Sequence, residues 1–338
     1  MVATYETKTD YKVIGNSPIR HDALDKVTGR AIYGGDVKVP GLIWGDVIRS
    51  PHAHARIKSI DTSAAEAIEG VFAVLTHDDF PQADDKTIDT GEGTVNLRRG
   101  QSNVMADKKV HYKGHVVAAV AAVDRNTAEI AAQSIKVEYE VLPSISDVDA
   151  AMADGAGVIL EGLVGDHLGE KVENTNVARV FRHEFGNVDD AFANSDVVIE
   201  RTVEMSMVHQ GYIEPHNATA IWAQDDNLTV WSSTQGTFGV RSQVAGLLHM
   251  AESKVKVNYV EIGGGFGGKT VVYLAPIAAL LSRKAGGRPV KLIMDRSSVF
   301  EATGPAPGGK IRMKIGVNKD GKIQAADTDL MLEAGGFP

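Results

Sequence analysis

The densest chemistry in this sequence lies in Gly263-Gly264-Gly265-Phe266-Gly267-Gly268-Lys269-Thr270, a glycine cluster ending in a cation and a hydroxyl. Three readings fit it. As G-x-x-x-x-G-K-[ST] it is a phosphate-binding loop, with Lys269 for the β/γ-phosphates and Thr270 for Mg²⁺. As G-x-G-x-x-G, through Gly263, Gly265 and Gly268, it is a dinucleotide fingerprint. In the third reading it is a glycine turn that brings backbone N–H groups against an oxo ligand of a bulky metal cofactor. All three rest on one property: glycine lets the backbone turn tightly and approach an anion with no side chain in the way. A purely structural glycine turn is the plain alternative.

The elements around the loop separate these readings. Val255–Ile262 has strand composition and Val271–Lys284 a helical one, and Ile293-Met294-Asp295 could pass for a Walker B strand end. A nucleotide-binding loop, however, normally follows the first strand of its parallel sheet. Here the residues after Asp295 form a predicted β-hairpin, Lys310–Asn318 and Lys322–Leu332 around Lys319-Asp320-Gly321, and no βαβ unit follows. Both nucleotide readings therefore have the order of elements wrong. Asp295 as a Rossmann ribose acid also lies later than the expected ~20 residues.

Upstream, Gly41–Arg49, Val71–Thr76, Ile135–Glu140 and the continuous apolar run His115–Ala121 are predicted strands, with an alanine-rich helix over Asn126–Ser134. Residues 148–185 are Gly- and Ala-rich without firm periodicity and are expected to be a linker. Strands are then predicted over Asp196–Glu204, Ala218–Ala223 and Leu228–Ser232, and a helix from Phe238 to His249. With 338 residues, 43% of them hydrophobic, the chain can build two cores. The net charge of −9 disfavours nucleic acid or an anionic membrane as partner. The sequence has no cysteine, which excludes disulfides, thiolate catalysis and cysteine-held iron–sulfur clusters within it. Met1–Glu6 has no hydrophobic core of a signal peptide, and no run approaches the ~20 apolar residues of a membrane span. The expected location is the cytoplasm.

Several separate motifs, in one order, carry a family resemblance. They are Asp25-Lys26-Val27-Thr28-Gly29-Arg30-Ala31-Ile32-Tyr33, Pro40-Gly41-Leu42, Arg49-Ser50-Pro51-His52-Ala53-His54-Ala55-Arg56-Ile57, Val137–Pro143, Glu214-Pro215, Thr234-Gln235 and the glycine loop. Through them the chain resembles the molybdenum-binding subunit of the xanthine dehydrogenase, aldehyde oxidase and carbon monoxide dehydrogenase family from residue 20 onward. The resemblance implies a mixed α/β (α+β) protein: a lead-in (1–19), an α/β hammerhead domain (20–147), a linker (148–185) and the first part of a molybdopterin-binding domain (186–338). It implies an oxidoreductase that hydroxylates a carbon centre, an N-heterocycle or an aldehyde, with water-derived oxygen. The cofactor would be molybdenum-molybdopterin, as the cytosine dinucleotide in a bacterial member. Electrons would leave through Fe–S and FAD held by partner subunits.

By the same resemblance Gln235 stands beside the molybdenum, its amide donating to an oxo ligand, and Phe266 and Gly267 present backbone N–H groups to the metal's oxygen. Gly236, Gly265 and Gly268 complete the cofactor contacts. Thr270 takes the substrate-side place of the glutamate that binds purines in the purine-oxidising members, which disfavours xanthine. The general base and most pterin contacts belong to a part of the family's subunit that follows Pro338. The expected partner is therefore a second molybdopterin-domain polypeptide, the alternatives being a truncated, non-catalytic fragment or an artificially shortened chain. The last strand and Phe337 are expected to expose apolar surface, at about 25 cal/mol per Å², and the isolated chain to associate.

Other polar clusters have plainer readings. His52 and His54 suggest a metal pair, or hydrogen-bonding residues of a domain corner. Glu214, between His209 and His216, is expected to be architectural, or to stand just behind the cofactor's contacts. Arg241 faces either the pterin or solvent. Lys269 either lies near a pterin phosphate or pairs with Glu261 or a partner chain.

Overall fold

The computed structural model describes residues 11–89 and 94–337. The start of the expected lead-in, Met1–Glu6 included, lies outside them, as does Pro338. The fold is mixed α/β, centred on a seven-stranded sheet in the order Val255–Asn258, Leu228–Ser232, Asn217–Trp222, Val290–Ile293, Ile43–Arg49, Val116–Ala122, Val71–Thr76.

The run Val116–Ala122 explains itself once its surroundings are known. It is buried along its whole length, between two antiparallel neighbours and two layers of packing. Ala118, Val120 and Ala122 face the helix Arg125–Ser134, which meets them through Ala128, Ala131 and Ala132. Ala119 and Ala121 face the opposite core, which contains the helix Ala275–Lys284. Small side chains let both helices approach closely, and a strand covered on both faces has no reason to alternate. Asp124 starts the first helix by accepting the Thr127 N–H at 2.8 Å. The second is buried from Ala275 to Ser282, as expected of a helix that is apolar all round. It begins at Ala275 rather than Val271, and the strand before the glycine loop ends at Asn258 rather than Ile262.

This sheet crosses the boundary between the two expected domains. Ile43–Arg49 pairs in parallel with Val290–Ile293 through Ile43↔Val290 and Trp44↔Lys291. Lys291 reinforces the seam. Its buried Nζ donates to the Gly35 carbonyl at 2.8 Å and to that of Val37, and lies over the Trp44 ring. The segment expected to be a linker also carries structure: a helix, Val148–Met152, and a small sheet of Val164–His167, Glu170–Glu173 and Arg179–Val180. Its hairpin turns on Leu168-Gly169, both at positive φ (56° and 92°), and a leucine in that conformation masks the usual turn signature.

A separate three-stranded sheet joins Val197–Met205, Gly309–Val317 and Ile323–Leu332, all antiparallel. The expected hairpin is its second and third strands. On one face Arg312 binds Glu200, Asp327 and Asp329, and the short helix Val188–Ala193 packs where Phe192 meets Lys314 and Gly316. The other face carries the rows Ile199–Ile315–Ala326, Val203–Ile311–Leu330 and Met205–Gly309–Leu332. Every residue of Val197–Met205 is exposed. Phe337 departs from expectation: it is half-buried, with its ring edge-on to those of His111 and His115. Among the described residues no helix is long and apolar enough to cross a membrane.

Candidate cofactor-binding site

The glycine loop leaves the Val255–Asn258 strand beneath the N-terminal segment, where the Glu261 N–H donates to the Ile32 carbonyl at 2.9 Å and Lys26 pairs with Glu261 at 2.9 Å. Gln235, at the end of a neighbouring strand, is the loop's organising side chain. Its Oε1 accepts the Gly267 N–H at 2.9 Å and the Lys269 N–H at 3.2 Å, while the backbone N–H of Gln235 donates to the Lys269 carbonyl at 3.1 Å. A Cβ on Gly265 would lie 2.6 Å from Oε1, so only glycine admits this approach. Two N–H donors at Oε1 fix the orientation of the amide. Nε2 therefore points the other way and has no partner among the described residues. The loop does not present Gly267 as expected, because its N–H is already used by Gln235.

Phe266 is the strained residue of the loop. It sits at φ 50°, a left-handed conformation costly for an aromatic residue, and 73% of it is exposed. Gly236, directly after Gln235, donates its N–H to Thr234 Oγ1 at 3.1 Å and begins the helix Thr237–Leu247. Gln235, Gly236, Gly265, Phe266, Gly267 and Gly268 thus come together, and Thr270 closes the loop with Oγ1 3.4 Å from the Gly267 carbonyl.

Lys269 points the opposite way. Its side chain is wholly buried, Nζ donating to Glu214 Oε2 at 2.8 Å and to the Glu214 carbonyl at 2.9 Å, above the Tyr212 ring. Burial pulls its pKa down and Glu214 opposes that pull. Glu214 Oε2 also accepts the Gly263 N–H at 2.8 Å, so the pair clamps both ends of the loop. A lysine held this way cannot reach a phosphate, and Asp295 caps the helix Arg296–Ala302 by accepting the Ser298 N–H at 2.6 Å. The phosphate-loop reading fails on both residues. Lys269 pairs with Glu214, not with Glu261, and Glu214 is architectural.

Behind the clamp runs a chain of hydrogen bonds. His216 Nε2 meets the Tyr212 hydroxyl at 2.8 Å, that hydroxyl meets Thr303 Oγ1 at 3.1 Å, and Thr303 meets His209 Nε2 at 2.8 Å. Burial, with Lys269 nearby, lowers the His216 pKa to about 3 and keeps the ring neutral. Sequence reasoning missed Tyr212, Thr303 and Gln243. The last is fully buried, donating to the Thr270 carbonyl at 2.9 Å and accepting the Val272 N–H at 3.1 Å. Its signal was available: a polar residue inside the apolar stripe of Val240, Val244 and Leu247. The remaining candidates are structural. His54 Nδ1 lies 2.7 Å from the Pro143 carbonyl, and Arg241 pairs with Glu252 at 2.9 Å. Among the described residues no group of three or more His, Asp or Glu side chains is arranged to hold a metal ion.

Known proteins share this architecture. Residues 169–338 match the molybdopterin cofactor-binding domain, and residues 28–143 the a/b hammerhead domain of aldehyde oxidase and xanthine dehydrogenase. The carbon monoxide dehydrogenase large chain of Afipia carboxidovorans is 34% identical over 91% of this chain and 38% of its own. The nicotinate dehydrogenase large molybdopterin subunit of Eubacterium barkeri is 31% identical over 97% of this chain and 72% of its own. Among solved structures, CO dehydrogenase from Oligotropha carboxidovorans superposes with a TM-score of 0.77 at 32% identity, covering 94% of this chain and 39% of that one. Quinoline 2-oxidoreductase from Pseudomonas putida 86 gives 0.75 at 30% identity, covering 93% and 38%. The chain thus spans well under half of the carbon monoxide dehydrogenase large chain and about three quarters of the nicotinate dehydrogenase subunit. Gln235 beneath the strained Phe266 turn therefore lies in a matched molybdopterin-binding domain, and the chain belongs to the family of molybdenum-binding subunits of xanthine dehydrogenases, aldehyde oxidases and carbon monoxide dehydrogenases.

Proposed function

We propose that this chain provides one wall of a molybdenum-pterin site in a hydroxylase acting on a carbon centre of an N-heterocycle or an aldehyde. The observation that carries this reading is the orientation of Gln235: two backbone donors occupy Oε1 and leave Nε2 as a fixed donor without a partner among the described residues. A donor immobilised before the ligand arrives costs little reorganisation when it binds an oxygen carrying negative charge. The residues fit the group in two further ways. Phe266 holds an unfavourable φ on an exposed turn, and Gly265 lets the loop backbone approach Gln235 more closely than any side chain would permit.

When bound, the molybdenum-pterin group would supply oxygen-atom transfer and accept two electrons. Gln235 Nε2 would hold its oxygen, Gly236 and Gly268 would shape the pterin side, and the Phe266 ring would limit where a flat substrate lies. Thr270 offers no carboxylate to a purine N–H, which favours substrates other than xanthine. The general base is assigned to a second molybdopterin-domain polypeptide, and electron exit to Fe–S and FAD subunits. The pterin is proposed to be the cytosine dinucleotide, and the location the cytoplasm.

The test is metal analysis of the chain co-purified with those subunits. Molybdenum should be present in the active complex. Gln235→Ala should retain the metal and lose turnover at least tenfold, whereas Gly265→Ala should lose metal. An active complex without molybdenum, or Mg²⁺-ATP binding abolished by Lys269→Ala, would overturn the proposal.

A further inference from the structure

The seven-stranded sheet is split along one line. Ile43–Arg49 and Val290–Ile293 are parallel neighbours only through Ile43↔Val290 and Trp44↔Lys291, and beyond that point they part. The Ile43 N–H donates to the Pro289 carbonyl at 2.9 Å, so by alternation the Val47 N–H points to the same side. There it meets the Asp46 carboxylate at 2.8 Å instead of a neighbouring strand. The gap is a cavity of about 400 Å³, toward the lower end of the range for small-molecule sites. Its wall takes Leu274 and Met294 from the larger core and Trp44 and Ala132 from the core under the helix Arg125–Ser134. It therefore lies between the strands and not on one face of the sheet. It also lies at the carboxyl ends of two adjacent parallel strands, the place where open α/β sheets bind their ligands. No residue of the glycine loop lines it.

The charges lining the cavity are only partly spent. Asp295 caps its helix, and Glu301 pairs with Lys113 at 2.8 Å. The Asp46 carboxylate accepts only the N–H of its own neighbour Val47, and the Arg49 guanidinium donates only to the Gly114 carbonyl at 3.0 Å. Neither has an ion-pair partner among the described residues, although both are half-buried. Three positions apart on a strand, they would ordinarily face opposite ways. The register shift between Ile48 and Arg49 resets the alternation, and both line the cavity. Burial pushes the Asp46 carboxyl up and the Arg49 guanidinium down, the response of charges held from water without a counterion. At the rim Arg125 and Glu129, both exposed, offer one further charge of each sign.

Two unmet charges of opposite sign select the ligand. A metal cation or a simple amine would face the guanidinium, and a phosphate or a simple carboxylate would face Asp46. A molecule carrying both signs answers both, through charge-assisted hydrogen bonds in a partly dry site. We infer that this cavity binds a small amino carboxylate, its ammonium group on Asp46 and its carboxylate on Arg49. Leu274 and Met294 give its hydrocarbon an apolar wall. The inference does not rest on the molybdenum reading.

The test is calorimetric titration of the full chain with glycine, β-alanine and γ-aminobutyrate, which differ only in the distance between their two charges. Acetate and methylammonium serve as single-charge probes. At least one amino carboxylate should bind with a Kd below about 1 mM, and both single-charge probes at least tenfold more weakly. Asp46→Asn keeps an oxygen for the Val47 N–H and removes the charge, and it should weaken the best ligand at least tenfold. Arg49→Gln should do the same. Should Arg49→Gln fail to fold, Arg49→Lys keeps a donor for the Gly114 carbonyl and should still lose most of the affinity, because a lysine cannot grip a carboxylate with two parallel N–H groups. Melting of each variant without ligand should show an unchanged midpoint, which separates lost binding from lost folding. The inference is overturned if none of the three amino carboxylates binds at millimolar concentration. It is equally overturned if acetate or methylammonium binds as tightly as the best of them, or if folded Asp46→Asn binds as tightly as the unaltered chain.

Discussion

The two sheets of this molecule solve the same packing problem to different extents. In the seven-stranded sheet the strand Val116–Ala122 is covered by helices on both faces, and the larger core draws residues from Ile43 through Val299. In the three-stranded sheet one face is tied together by an arginine-centred ion network and partly covered by a six-residue helix, and the other is open. The first is a self-sufficient core, and the second is half of one. The glycine loop belongs to the first. Its Lys269–Glu214 clamp is anchored beside Asn217, which starts a central strand, so the loop can hold its strained shape without help from another chain.

Substitutions can test that contrast. The largest effect should come from Lys269→Met, which leaves the Glu214 carboxylate buried without its cation. The expected loss is about 3–5 kcal/mol, measured by urea unfolding, and adding Glu214→Gln should recover part of it. A double variant as unstable as the single one would mean that the clamp is not a pair. Next comes a matched leucine pair. Leu281→Ala, in the covered core, should cost about 2–5 kcal/mol, whereas Leu330→Ala, on the open face, should stay within about 0.5 kcal/mol in the isolated chain. Equal costs would erase the distinction between the sheets.

The third effect is graded with pH. His115 and His216 are held neutral by burial, with pKa values lowered from 6.5 to about 3. The unfolded chain therefore binds protons first. Their contribution is fully present above about pH 6.5 and is lost as the pH falls toward 3, at up to about 1.4 kcal/mol per pH unit for each histidine. Denaturation at pH 7.5 and 5.0 should show the drop, and His115→Gln should make it shallower. Identical slopes for the variant would show that this ring does not titrate on unfolding.

The sequence was most legible where a residue's type answers to a local constraint. The apolar run at Val116–Ala122 and the turn near Gly321 each needed only a few neighbours to interpret. Gln235 and the glycine loop were recognisable as a unit because their motifs recur in a known family. What stayed hidden depended on long-range geometry. Nothing in the string Gly268-Lys269-Thr270 says that the lysine turns inward to Glu214, because the pairing is set by the Tyr212–Asn217 segment arriving from elsewhere. The hairpin at Leu168-Gly169 was masked by a leucine in a glycine-like conformation. The seam between Ile43–Arg49 and Val290–Ile293 was invisible, since neither strand carries any mark of its partner.

That seam also imposes a schedule. The two strands lie about 250 residues apart, and at a synthesis rate of roughly 5–20 residues per second the first waits ten seconds or more for the second. During that interval Ile43–Arg49 can pair with Val116–Ala122 on one side, while its other edge stays open beside apolar side chains, the state most prone to pairing with the wrong chain. Slow, late closure is the kinetic signature of such distant contacts. The newborn chain is therefore most vulnerable in the interval before Val290 is made, well before any cofactor could bind.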